Sequence, residues 1–109
     1  MHSMGEIEQL QKLIEDFANK RDWGKYHTAK NLALALGSEV GELQAEFRWL
    51  IEDEDLTDKK LNAIKDELAD VSIFLLRLAQ ILKIDISQAV REKLLDNEKR
   101  NLEGPNFSN

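Results

Sequence analysis

Apolar residues recur every three to four positions along almost the whole chain, and no stretch shows the two-residue alternation of a convincing strand. That pattern restricts the fold to helices packed through apolar stripes. Local punctuation divides it into four. A first helix is expected over about residues 5–20, with Ile7, Leu10, Leu13, Ile14 and Phe17 inward and Ser3 with Glu6 as a capping box. "RDWGKYHT" interrupts it, with Gly24 as the stop. Thr28 is the expected N-cap of a second helix over about 29–51. After the polar connector "EDEDLT", Thr57 followed by Asp58 starts a third helix that reaches about Leu82. Asp85 with Gln88 caps a fourth, which fades near "NLEGPNFSN". The expectation is one all-α domain over residues 1–109, a four-helix bundle with its helical core at about 5–102.

The second half of helix three is apolar nearly all round. Val71, Leu75, Leu78 and Leu82 lie on one side, Ile73 and Leu76 on the other. A four-helix protomer of 109 residues cannot bury both sides well, so a subunit interface is expected there.

Charge narrows the function. Fifteen basic against twenty-one acidic residues leave the chain at −6, with a pI near 4.9. Binding to polymeric nucleic acid needs a basic surface, so none is expected. The most apolar segment, "VSIFLLRLAQILKI", is shorter than the roughly 20 residues of a membrane span and carries Arg77, so no membrane partner is expected. With no cysteine the chain has no disulfide, thiol nucleophile or cysteine-type zinc site, which fits a cytoplasmic location.

Within "GSEVGELQAEFRW", Glu39, Glu42 and Glu46 run hard against the apolar stripe of Leu36, Val40, Leu43 and Phe47. Solubility needs charge on the far face. Helix three carries a second acidic pair, Glu67 and Asp70, in "KDELADV". An i,i+3 pair presents two carboxylates to one side of a helix. Folding the chain near residues 54 and 55 puts Glu42 level with Glu67, and Glu39 level with Asp70, at about 18 Å and one turn further from the connector. Either pair alone reads as a solvated helix flank. Together they would repel unless one acid keeps a proton or a divalent cation lies between them. Carboxylate oxygens suit Mg²⁺ or Mn²⁺. A di-iron bundle needs Glu-x-x-His pairs, which neither His2 nor His27 supplies. The acids at 53–55 lack the glycine and spacing of an EF-hand and read as a solvated turn.

Glu39-x-x-Glu42, a 24-residue spacer and Glu67-x-x-Asp70 resemble the motif of the MazG-like all-α nucleotide pyrophosphohydrolases. "RDWGKYHTAKNLALALGSEVGEL" resembles the branch containing deoxycytidine triphosphate pyrophosphatases, and the likeness runs from about Ile7 to Arg100. The resemblance implies hydrolysis of a nucleoside triphosphate between the α and β phosphates, with dCTP-like or modified deoxynucleotides as substrates, in nucleotide-pool cleaning. It carries Glu39, Glu42, Glu67 and Asp70 across as Mg²⁺ ligands, and gives Glu39 the added role of orienting or deprotonating the attacking water. Lys93, Asn97 and Arg100 resemble the set that approaches the triphosphate. Trp23, His27, Asn31 and Trp49 fall where that branch places its nucleobase pocket. The implied assembly is a homotetramer, a dimer of dimers. Two departures stand out: Ser38 replaces the first of a doubled glutamate, and Asn101 replaces a tyrosine after the arginine. The nearest enzymatic alternative keeps the fold and prefers another base, such as dUTP. From a different class, the chain could be a non-enzymatic helical module whose acids bind a basic partner.

Overall fold

The computed structural model describes residues 4–50 and 56–102. They form four α-helices and one short 3-10 turn: α1 (Glu6–Lys20), the turn Gly24–Tyr26, α2 (Ala29–Phe47), α3 (Asp58–Ile81) and α4 (Ile86–Leu102). There is no strand among the described residues, as the periodicity requires.

Three of the expected caps are made. Thr28 Oγ1 accepts from the Asn31 backbone N–H at 3.1 Å, Thr57 Oγ1 from Lys60 at 3.2 Å, and Asp85 Oδ1 from Gln88 at 3.1 Å. Each satisfies one of the donors left free by a first turn. At α1 the N-cap is Gly5, which has no side chain to offer, and Ser3 lies outside the described residues. The stop of α1 also differs from the expectation. It falls at Asp22, in the left-handed region with φ 56°, where the Trp23 N–H donates back to the Ala18 carbonyl at 2.9 Å; Gly24 instead opens the 3-10 turn. Lys83 (φ 58°) ends α3 in the same way, with Ile84 N–H bonded to the Ala79 carbonyl. A side chain costs about 1–2 kcal/mol in that region, partly offset by the greater entropy glycine loses on folding. Lys83→Gly is therefore expected to stabilise the protein by about 0.5–1 kcal/mol, read as a raised urea midpoint at unchanged slope.

Helix α3 is the centre of the protomer. It packs along α2 and, less extensively, against α1, while α4 makes only slight contact with the rest. Glu46 meets Lys60 at 3.1 Å, Glu39 clusters with Glu67, and His27 meets Arg77 at 3.1 Å, so α2 and α3 run antiparallel. These pairs centre near residue 53, slightly before the 54–55 expected, and Glu39 consequently faces Glu67 as well as Asp70. Helix α2 stops at Phe47 rather than near residue 51, and the acids at 53–55 lie outside the described residues.

The apolar stripes are only partly covered. Ala18, Leu32, Ile64, Leu76 and Ala79 are buried. Leu76 thus belongs to the protomer's own core, and the surplus face of α3 is made of Ile73, Leu75 and Leu82. Leu13 of α1 and Leu94 and Leu95 of α4, all apolar, are largely exposed. The radius of gyration is 17.1 Å, against about 13 Å for a compact chain of this length. The accessible surface is 8789 Å², against roughly 6,200 Å² for a folded monomer of this mass.

Candidate active site

Oxygens of Glu39, Glu67 and Asp70 all lie within 4.8 Å of one another, where α2 and α3 pack side by side. Glu39 and Glu67 are half-buried and Asp70 is exposed. Glu67 Oε2 is fully buried and has no hydrogen-bond partner. An ionised oxygen in that state is costly. Burial raises the Glu67 pKa above its ordinary value, and the charges of Glu39, Glu42, Asp70 and Glu46 raise it further. Glu46 is held by Lys60 Nζ at 3.1 Å. Glu42 is exposed and outside the tight group, yet near enough for its charge to act on Glu67. An orphaned buried carboxylate oxygen among converging acids fits a bound hard cation, which would satisfy the oxygen and cancel the repulsion together.

The residues expected at the base divide. Trp23 and His27 line one small cavity of about 120 Å³, with Ile14, Phe17, Ala18, Ile73, Phe74 and Arg77. Trp23 meets Phe17 edge-on at 5.5 Å between ring centroids, and the Arg21 guanidinium lies 3.5 Å from the centre of the Phe17 ring. Asn31 is outside this lining; its side-chain amide donates to the Tyr26 carbonyl at 3.0 Å and so secures the entry to α2. Trp49 follows the end of α2 and is 85% exposed. It makes no part of the cavity wall in one protomer.

On α4, Lys93 is exposed beside a wide depression shared with Glu92, Asp96 and Lys99. Arg100 pairs with Asp96 at 3.2 Å. Asn97 is half-buried, and its Oδ1 is buried without a partner. Neither the small cavity nor this depression contains any of the four acids.

Arg77 is the cavity residue for which sequence reasoning found no role beyond interrupting an apolar run. It is 5% exposed, donates Nε–H to His27 Nδ1 and Nη1–H to Gln80 Oε1, and has Glu15 at 3.8 Å. The available signal was a lone arginine inside "VSIFLLRLAQILKI", where burial demands partners.

An all-helical chain with two acid-bearing helices side by side defines a class, and comparison gives it a family. The model of the MazG-like family matches residues 32–106, and the chain belongs to that family. Over 98 residues, 86% of this chain, it is 39% identical to dCTP pyrophosphatase 1 of Mus musculus and 37% identical to dCTP pyrophosphatase 1 of Homo sapiens. It spans 58% of the length of those curated relatives. The structure superimposes on that of a pyrophosphatase from Archaeoglobus fulgidus DSM 4304 with a TM-score of 0.82 and 33% identity, covering 92% of this chain and 95% of that one.

Proposed function

We propose that this protein is a Mg²⁺-dependent nucleoside triphosphate pyrophosphohydrolase that releases a monophosphate and pyrophosphate, acting on dCTP or a modified deoxynucleotide like it. The observation that carries the reading is the buried, unpartnered Glu67 Oε2 inside the acidic cluster. The names of the relatives point the same way. Glu39, Glu67 and Asp70 would hold the ion, with Glu42, one turn along α2, as a fourth ligand; Mn²⁺ suits the same donors. When bound, Mg²⁺ supplies neutralisation of phosphate charge and acidification of water. Glu39 would also orient the attacking water and accept its proton on a carboxylate oxygen. Lys93, Asn97 and Arg100 form one face of α4 and provide the donors for the phosphates.

The aromatic cavity supports a single-ring base. A cavity of about 150 Å³ holds benzene. At about 120 Å³ this one is smaller still, so a base would enter it only in part, which a single ring does more readily than a two-ring purine. Trp23 and His27 are its polar-tipped walls, Asn31 braces the segment that carries them, and Trp49, beyond the opposite end of α2, would stack on the base from a second copy. A set of large apolar side chains, Leu13, Leu94 and Leu95 among them, is left exposed in the single protomer. It supports a homo-oligomer, a tetramer built as a dimer of dimers. No helix of the described residues is long and apolar enough to cross a membrane. We place the enzyme in the cytoplasm, where it removes surplus or non-standard deoxynucleotides.

A panel of canonical and modified triphosphates, assayed for pyrophosphate with and without Mg²⁺, tests the activity. Metal-dependent release greatest with a cytosine-type base is expected; an acidic interaction module would show neither release nor a Mg²⁺-linked thermal shift. Base contact is tested separately. Trp49→Ala removes an exposed ring, so melting should not change, but about 1–3 kcal/mol of stacking should be lost. That loss is expected as raised KM and an altered ranking of bases. Lys93→Ala should instead lower kcat for every base alike, since a positioned cation acts where charge shifts between phosphates. Unchanged base preference in Trp49→Ala would remove Trp49 from the site.

A further inference from the structure

We propose that Arg77 is a positioning residue that locks the His27 imidazole with its proton on Nε2, so that the cavity offers a neutral N–H donor to a base carrying an acceptor on its edge. The recognition half rests on the reading that this cavity takes the nucleobase.

The argument starts from what an arginine can do. A guanidinium has five N–H donors, no acceptor, and keeps its charge at any pH a protein survives. Arg77 Nε donates to His27 Nδ1 at 3.1 Å, so Nδ1 must carry a lone pair. The remaining proton of a neutral imidazole is then on Nε2. An amide or hydroxyl in place of Arg77 could reverse its role and admit either tautomer. Arginine cannot.

The rest of the network keeps the guanidinium in that pose. Nη1 donates to Gln80 Oε1 at 2.6 Å, and Glu15 of α1 supplies the counter-charge at 3.8 Å. Gln80 Nε2 reaches back to the Gln11 carbonyl at 3.4 Å, while Gln11 Nε2 donates to the Leu76 carbonyl at 2.9 Å. The guanidinium is thus tied to both α1 and α3. The His27 backbone N–H bonds the Gly24 carbonyl at 3.1 Å, which fixes the ring's origin beside the Thr28 cap. Among the nearby charged side chains of the 3-10 segment, Lys25 is paired with Asp22 at 3.1 Å and Arg21 lies over Phe17. Among the described residues, Nε2 has no hydrogen-bond partner, and the ring lines the cavity. Burial and then the Arg77 charge also disfavour the imidazolium. Ionising His27 would break the Arg77 bond and set two cations face to face.

Isolating so polar a group in an apolar helix is expensive compared with a hydrophobic replacement. What it secures is direction. A neutral donor at the cavity wall donates to a carbonyl oxygen or an unprotonated ring nitrogen of the base.

Nitrogen-15 NMR of the imidazole tests the lock on the intact protein without any turnover. His27 signals are identified by their loss in His27→Asn. The wild type should show an unprotonated Nδ1 and a protonated Nε2, and no ionisation as pH falls through 6.5, the ordinary histidine value. Arg77→Met should show mixed tautomers and ordinary ionisation. Adding deoxycytidine monophosphate should shift the wild-type Nε2–H signal, and deoxyribose 5-phosphate, which carries no base acceptor, should not. In kinetics, Arg77→Met should raise KM for the preferred base about tenfold, the worth of one oriented hydrogen bond, while kcat holds and the ranking of bases narrows. A wild-type proton on Nδ1, or ordinary titration, overturns the lock. A correct tautomer whose Nε2–H ignores every nucleotide overturns the recognition role. Binding that shifts Nε2–H without any hydrolysis would instead overturn the proposed activity and leave this inference standing.

Discussion

Glu67→Gln is expected to abolish turnover and, in the same protein, to make the metal-free form more stable than wild type. The two effects have one origin. Glu67 Oε2 is buried without a partner and faces other acids, so its ionised form opposes folding until a cation arrives. Its folded-state pKa is raised above 4.5, which fixes the sign of the pH dependence. The proton favours the fold: the stabilisation is complete below the unfolded value and is lost as pH rises through the raised folded value. Wild-type apo protein should therefore melt at higher temperature as pH falls through that raised value, while the glutamine variant should lose this component. Saturating Mg²⁺ should reverse the order, since ligand at about 100 times Kd adds about 2.7 kcal/mol only where it binds. The fall in kcat/KM should be about a thousandfold or more, as several kcal/mol of charge stabilisation are lost. Calorimetry of both proteins with and without Mg²⁺, alongside a pyrophosphate assay, reads all of this. Normal turnover by Glu67→Gln, or an apo form less stable than wild type, would remove the acid cluster as the catalytic centre.

What was legible in the sequence was local chemistry. Thr28, Thr57 and Asp85 cap helices as expected because a cap needs only a side chain and an N–H three residues on. The acidic cluster was legible because its members are i,i+3 pairs on two antiparallel helices. Its details were not. The observed pairs centre slightly earlier than residues 54–55, and Glu39 clusters with Glu67 as well as Asp70 while Glu42 is left outside. Positive φ at Asp22 and Lys83 was invisible because neither is a glycine. Arg77 escaped for another reason. Its hydrogen-bond partner His27 is fifty positions away, and only the packing of α3 against the segment before α2 brings them together. Apolar periodicity located the stripes, but it could not say which of them the protomer covers itself. Leu76 and Ile73 look alike in sequence; one is buried and the other 43% exposed.

Ile73→Glu and Leu94→Glu are expected to break the assembly, whereas the same change at Leu76 would simply unfold the protomer. Leu76 is at 9% exposure in the core, where an unpaired carboxylate cannot be accommodated. Leu94 on α4 is 62% exposed, and Ile73 on α3, which also lines the small aromatic cavity, is still 43% exposed. If a second copy covers them, a glutamate buried there without a partner costs about 3–5 kcal/mol, a factor of hundreds to thousands in the dissociation constant. The variant protomers should elute later and sediment more slowly, and their melting should become strongly dependent on concentration, because an obligate assembly and its fold are one equilibrium. Helix α4 should respond most, since it has so little contact with its own chain. Activity should fall with assembly if Lys93, Asn97 and Arg100, which ride on that helix, are the phosphate donors proposed above. Wild-type elution and unchanged melting in both variants would mean that these faces stay in water, and that the acids of α2 and α3 do their work within a single protomer.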